Sequence, residues 1–65
     1  MQVLVNQIPR ELPEGSSLAQ ALEAGGFSPP YAAALNLQFV PKTQYSATLL
    51  KNGDQIEVIS PITGG

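Results

Sequence analysis

Proline and glycine interrupt this chain so often that only short secondary-structure elements fit between them. The 65 residues include six prolines and six glycines, and both residue types break or redirect regular structure. A chain of this length has room for one small hydrophobic core. Hydrophobic residues make up 43% of it, an ordinary share for a globular domain. We therefore expect a single domain of short strands, few helices and many turns.

The first residues predict a β-hairpin. Residues 2–5 are largely apolar and β-branched, Asn6-Gln7 is typical of a turn, and residues 8–12 predict the returning strand. Pro9 lies in this returning strand, and its missing N–H is tolerated only at a sheet edge or a strand end. The returning strand is therefore expected to lie at the edge of the sheet, or to have Pro9 near one of its ends.

One short helix is predicted after the hairpin. Ser17 and Gln20 have the spacing of a capping box, and Gly25-Gly26 is a typical helix end. Ser28-Pro29-Pro30 then predicts an extended connection, because a residue before proline avoids the helical region. The apolar residues that share one face of this helix are Leu18, Ala21 and Leu22.

The second half of the chain predicts further short strands. Residues 31–35 have small side chains and end at a turn around Asn36, and Phe39-Val40 predicts another strand. Residues 42–50 fit no single pattern. Asn52-Gly53 is the dipeptide typical of a type I′ hairpin turn.

The last strand and the fold follow from these elements. Residues 55–59 alternate polar and apolar side chains until Pro61 ends regular structure. A hairpin, a helix crossing it and later strands that close on the first describe an α+β domain of the β-grasp (ubiquitin-like) class. We expect a mixed sheet of four to five strands, with one main helix on one face and the other face open. Residues 1–60 form this domain, and residues 61–65 form a flexible C-terminal tail.

The core of this fold is predicted from the same pattern. Leu18 and Leu22 of the helix should contact inward residues of the first and last strands, namely Val3, Val5, Ile56 and Val58. Phe39 and Tyr45 fit either the core or an exposed docking patch, and the core is favoured for Phe39. Asp54 and Glu57 are interpreted as solvated surface charges on opposite faces.

Composition excludes several classes of function. Without cysteine the chain has no disulfide, no thiolate nucleophile and no thiolate metal site. Without histidine it lacks the commonest general base. The net charge of −2 and the absence of a basic cluster disfavour nucleic acid. No apolar run reaches the length of a membrane span, and Met1-Gln2-Val3 lacks the features of a signal peptide. We expect no bound metal or cofactor, no membrane and a cytoplasmic location.

The sequence given ends in Gly64-Gly65, the feature that most directly indicates a function. Two residues without side chains form a thin, flexible segment that can enter a slot too narrow for other residues. If this is the natural end, the terminal carboxylate of Gly65 is the candidate reactive group. Glycines at a terminus are also common in frayed tails, so the pair alone does not decide. Ile62 lies in the same tail, where no strand should bury it.

Several separated motifs together resemble the ThiS family of sulfur carriers. The closing residues 52–65 resemble the C-terminus of that family, and the resemblance covers the whole chain. Two positions depart from the family pattern: Lys42 stands where arginine is frequent, and Thr63 where a smaller residue is common. The other similar segments are Met1–Asn6, Ser17–Gln20, Ala34–Asn36, Val40–Lys42 and Tyr45.

The resemblance implies a β-grasp protein that is a substrate of other enzymes and not itself an enzyme. An adenylating, ThiF-like activating enzyme would use ATP and Mg²⁺ to convert Gly65 into a glycyl adenylate. A sulfur-donating persulfide protein would then supply the sulfur of a thiocarboxylate (1-thioglycine), and a ThiG-like thiazole synthase would receive it. Ile62, Thr63 and Gly64 would occupy the partner's channel, since residues 61–65 span roughly 17 Å when extended.

Three other interpretations stay open. The molybdopterin-synthase small subunit shares the fold, diglycine and thiocarboxylate, but is usually longer and tends to have Pro-Pro near its end, where this chain has Ser60-Pro61. A ubiquitin-like modifier would transfer its activated terminus to a lysine. A β-grasp binding module, such as a fragment of a regulatory protein, would not use the tail. Met1 directly before a strand and the final diglycine argue against a fragment. A cysteine-ligated iron–sulfur protein is excluded because there is no cysteine.

Overall fold

The sheet and its helix are seen in a computed structural model that describes residues 1–27 and 31–59. Within these ranges five strands form one mixed sheet, and one α-helix packs on one of its faces. The connection 28–30 and the tail 61–65, for which we made predictions, lie outside the described residues. The strands are β1 (Gln2–Val5), β2 (Ile8–Glu11), β3 (Ala32–Leu35), β4 (Gln38–Val40) and β5 (Gln55–Ile59), the α-helix α1 is Leu18–Ala24, and Lys42–Gln44 form a 3₁₀ turn.

The last strand lies in the middle of the sheet. The strand order is β2-β1-β5-β3-β4; β5 runs parallel to β1 and antiparallel to β3. The two hairpins β1–β2 and β3–β4 flank it on either side. This five-stranded mixed sheet with one helix confirms the predicted β-grasp class. The strand order also places Pro9 on the edge strand β2. At an edge, its missing N–H does not interrupt the backbone hydrogen bonds between inner strands.

Both hairpin turns begin with asparagine and have the same backbone geometry. Asn6 and Gln7 have φ of 51° and 69°, and Asn36 and Leu37 have φ of 50° and 69°. Two consecutive residues in the left-handed region define a type I′ turn, whose twist matches that of the flanking strands. The predicted turns at Asn6-Gln7 and Asn36 are confirmed.

The prediction of a third hairpin turn at Asn52-Gly53 is wrong. The dipeptide does form a turn, closed by the Asp54 N–H donating to the Lys51 carbonyl over 3.1 Å. Gly53 has φ of 89°, but Asn52 is not left-handed, as a type I′ turn would require. The preceding residues pair elsewhere, because Leu49 forms an isolated bridge with Ser17. The turn therefore leads from the helix region into β5 and joins no hairpin.

The helix begins at the predicted capping box. The Ser17 hydroxyl accepts a hydrogen bond from the Gln20 N–H over 3.2 Å, and the Gln20 side-chain oxygen accepts one from the Ser17 N–H over 2.8 Å. Gly25 and Gly26 follow the last helical residue, and Gly26 has φ of 75°. Both ends of α1 are thus where the sequence places them.

The core lies between the helix and one sheet face. Leu18 and Leu22 are fully buried together with Val3 and Ile56, which confirms the predicted contact between helix and central strands. Tyr45 is also buried and stacks on Tyr31 with ring centroids 6.0 Å apart. In the described part of the chain, no helix is long and apolar enough to cross a membrane. The buried apolar residues are Val3, Val5, Leu18, Ala21, Leu22, Ala33, Val40, Tyr45, Leu50, Ile56 and Val58.

Candidate docking face and tail origin

The sheet face opposite the helix carries an apolar surface, which we call the open-face patch. It consists of Ala32, Ala34, Phe39 and Ile59. In the strand register Ala34 pairs with Phe39 on one side, and Ala32 pairs with Ile59 on the other. Paired residues lie on the same face of a sheet, so these four side chains share the face that the helix leaves uncovered.

The exposure of Phe39 overturns its predicted place in the core. Its side chain is 69% exposed, whereas the next residue, Val40, is buried. Successive side chains of a strand point to opposite faces, so Val40 takes the position under the helix. Ile59 is also 63% exposed. Large apolar side chains on one uncovered face mark a surface for a partner.

The open-face patch is joined to the strand that leads into the tail. Ile59 belongs to the patch and is also the last residue of β5. The predicted site residues Ile62, Thr63, Gly64 and Gly65 lie outside the described residues, so their geometry stays a prediction. The patch is therefore the described surface from which the chain continues towards them.

Two asparagine side chains hold β5 in place. The Val58 N–H donates to Asn6 Oδ1 over 2.8 Å, and the Gln55 N–H donates to Asn36 Oδ1 over 2.9 Å. The backbone N–H groups of the same asparagines donate to the Ile56 and Gln55 carbonyls over 2.8 and 2.7 Å. Each hairpin turn thus hydrogen-bonds to the central strand on its own side. The sequence indicated turns at these positions but gave no sign of the contacts with β5.

Asp54 stabilises the loop before β5. One carboxylate oxygen accepts a hydrogen bond from Asn36 Nδ2 over 3.1 Å, and the other accepts one from the Lys51 N–H over 2.8 Å. Asp54 is half-buried at the surface, as expected for a surface charge, but its two hydrogen bonds were not predicted from the sequence. Glu57 differs, because its side chain is exposed on the open face and pairs in register with Ala34.

These features form an exposed apolar surface beside the last described strand. In residues 1–27 and 31–59 no three acidic side chains are grouped so that they could hold a metal ion. The described residues provide an apolar face, a central strand fixed on both sides and a connection to the tail.

The fold defines a ubiquitin-like β-grasp protein with one open sheet face. A sequence model of the ThiS family matches residues 3–65, and the chain belongs to that family. It is also similar to the crystal structure of the thiamine biosynthesis protein ThiS from Geobacter metallireducens. The sequences are 25% identical, the match covers 100% of each chain, and the TM-score is 0.82. No curated protein matched the sequence. Family and structural neighbour together support a sulfur carrier of thiamine biosynthesis.

Proposed function

We propose that this protein carries sulfur as a thiocarboxylate on Gly65 and delivers it to the thiazole ring of thiamine. The observation that carries the proposal is the match to the ThiS family over residues 3–65, which includes the final diglycine. The open-face patch supports it, because a carrier needs a surface by which its partners hold it. In this proposal the protein is a substrate and its partners are the enzymes.

Sulfur transfer requires prior activation of the carboxylate. A terminal carboxylate is an anion at neutral pH and a poor electrophile. One of its oxygens attacks the α-phosphorus of ATP, pyrophosphate leaves, and an acyl adenylate forms. A sulfide or persulfide sulfur then attacks the carbonyl carbon, and AMP leaves with the oxygen through which it was bound. If the donor is a persulfide, a further thiol must cleave the sulfur–sulfur bond, and that thiol belongs to a partner because this chain has no cysteine.

The partners are those that membership of the ThiS family implies. The chain has no phosphate-binding glycine-rich motif with a lysine, so ATP and Mg²⁺ are assigned to a ThiF-like activating enzyme. A persulfide protein supplies the sulfur, and a ThiG-like thiazole synthase accepts it from Gly65. We propose that the activating enzyme docks on the open-face patch, because β5 passes through that patch towards the tail.

Intact-protein mass spectrometry tests the proposal. The chain is incubated with its activating enzyme, ATP, Mg²⁺ and a sulfur donor, and the expected product has one oxygen replaced by one sulfur. The matched control has one alanine added after Gly65, which moves the carboxylate away from the nucleotide while the described fold is unchanged. The control should remain unmodified.

Three outcomes would contradict the proposal in whole or in part. An unmodified wild-type chain in the presence of a competent activating enzyme would exclude sulfur loading. Linkage of Gly65 to lysines of other proteins would instead indicate a ubiquitin-like modifier. Transfer of the sulfur to a molybdopterin precursor, and not to thiazole synthase, would keep the chemistry but change the pathway.

A further inference from the structure

Glu57 is a carboxylate on the open face, between the polar Gln55 and the apolar Ile59 along β5. Its register partner is Ala34, which in turn pairs with Phe39. Two residues further along β5, on the same face, lies Ile59, which pairs with Ala32. Glu57 is therefore next to the open-face patch on two sides, and a partner that covers Phe39 and Ile59 must also cover Glu57.

The chain supplies no cation for this carboxylate. Its three basic side chains are Arg10, Lys42 and Lys51, and all three are in the described ranges. None forms an ion pair within 4.0 Å of Glu57 among the described residues. Arg10 pairs in register with the buried Val3, which assigns it to the face covered by the helix. The charge of Glu57 is thus not used in the described fold, unlike the charge of Asp54.

We propose that the partner docked on the open face carries an arginine that pairs with Glu57. This inference rests on the proposed function, in which that partner is the activating enzyme. An apolar contact around Glu57 removes water from its carboxylate, and burying an unpaired carboxylate is strongly unfavourable. A partner surface without a cation is therefore rejected, whereas one with a well-placed cation is accepted. Glu57 acts as a specificity-determining residue of the docking surface.

Arginine fits this position better than lysine. Its planar guanidinium can donate two parallel hydrogen bonds to a carboxylate and can also pack against an aromatic ring. Phe39 is the exposed aromatic residue of the patch, and it lies one strand beyond Ala34 from Glu57. The expected partner surface is thus apolar where it covers the open-face patch and has one arginine opposite Glu57.

Binding of the purified activating enzyme to full-length variants tests the inference. E57Q keeps the size of the side chain and removes its charge, and we expect it to weaken binding at least about ten-fold. E57R should weaken binding further, because it places two cations together. Binding of E57Q should also depend less on salt than binding of the wild type. E23Q removes a charge from an exposed residue of α1 and should bind like the wild type.

A charge exchange and an apolar variant complete the test. A single arginine-to-glutamate change in the activating enzyme should restore binding of E57R. Wild-type affinity and salt dependence for E57Q would overturn the role of Glu57. F39A removes a large apolar side chain of the open-face patch. If E57Q binds like the wild type but F39A binds poorly, the open face remains the docking surface and only the ion pair is wrong. If F39A also binds and accepts sulfur like the wild type, the proposed docking surface itself is wrong.

Discussion

At the scale of single residues, Asn6 and Asn36 combine two functions. Asparagine tolerates the left-handed conformation that a type I′ turn requires, and its side-chain oxygen can accept a backbone hydrogen bond. Short-range sequence pattern predicts the first function. It cannot predict the second, because the bonded N–H groups lie 52 and 19 residues away along the chain. Such contacts depend on the strand order, which becomes known only with the fold.

We expect Asn36→Ala to lower the free energy of unfolding by about 2 kcal/mol. The change removes the acceptor for the Gln55 N–H and the donor to Asp54, and it leaves an alanine at φ of 50°. Denaturant unfolding followed by circular dichroism measures the effect. Gln38→Ala, at an exposed position of the same hairpin, is the control and should change stability by less than about 0.5 kcal/mol. Equal stability of the two variants would show that the asparagine contacts contribute little.

At the scale of elements, the sequence predicted most boundaries, because helix caps and turn residues are local signals. The capping box at Ser17 and the five residues of β5 are where the pattern placed them. Phe39 was misplaced for a physical reason. Alternation assigns it and Val40 to opposite faces, but which face the helix covers depends on the packing of the whole sheet. Residues 42–50 were not predicted, since their structure is set by contacts with the helix, such as the Leu18 N–H donating to the Thr48 carbonyl over 2.8 Å.

We expect Ser17→Ala to destabilise the protein by about 1 kcal/mol. The Ser17 side chain accepts a hydrogen bond from an N–H group that has no partner inside the helix. Because the helix has only seven residues, its few other hydrogen bonds cannot compensate for the loss of this one. Gln20→Ala removes the reciprocal bond to the Ser17 N–H. Thermal unfolding measures the loss of stability in both single variants and in the double variant. The double variant should lose less stability than the two single variants added together, because the two hydrogen bonds support each other. Glu23→Ala, an exposed change in the same helix, is the matched control. Strict additivity would argue against a cooperative capping box.

At the scale of the whole molecule, the helix covers one sheet face, and no other element of residues 1–27 and 31–59 covers the opposite face. The sequence predicted the open face from the number and order of its elements, since a single helix covers a single face. It did not predict the composition of that face, because this depends on the register of β3, β4 and β5. In a small domain the apolar side of the helix is needed for the core. The open face is therefore the surface that remains for a partner.

We expect the activating enzyme to perturb the open face and not the helix. Chemical-shift mapping of the labelled chain should show the largest changes in β5 and at Phe39, with changes at Ile62 as the chain continues into the partner. Exposed helix residues such as Glu23 should change little, since α1 lies on the opposite side of the sheet. Changes confined to residues 17–24 would contradict docking on the open face.

We expect Gly64→Val to block sulfur loading and to leave stability unchanged. A channel that admits a chain without side chains excludes the two methyl groups of valine, so the Gly65 carboxylate cannot reach the nucleotide. The fold should not be affected, because every residue of the described core lies between Val3 and Val58. Mass spectrometry measures loading, and thermal unfolding should agree with the wild type within error. The matched control is Gln38→Val, which adds an apolar side chain at an exposed strand position and should load normally. Normal loading of Gly64→Val would show that the terminal segment does not enter a narrow channel.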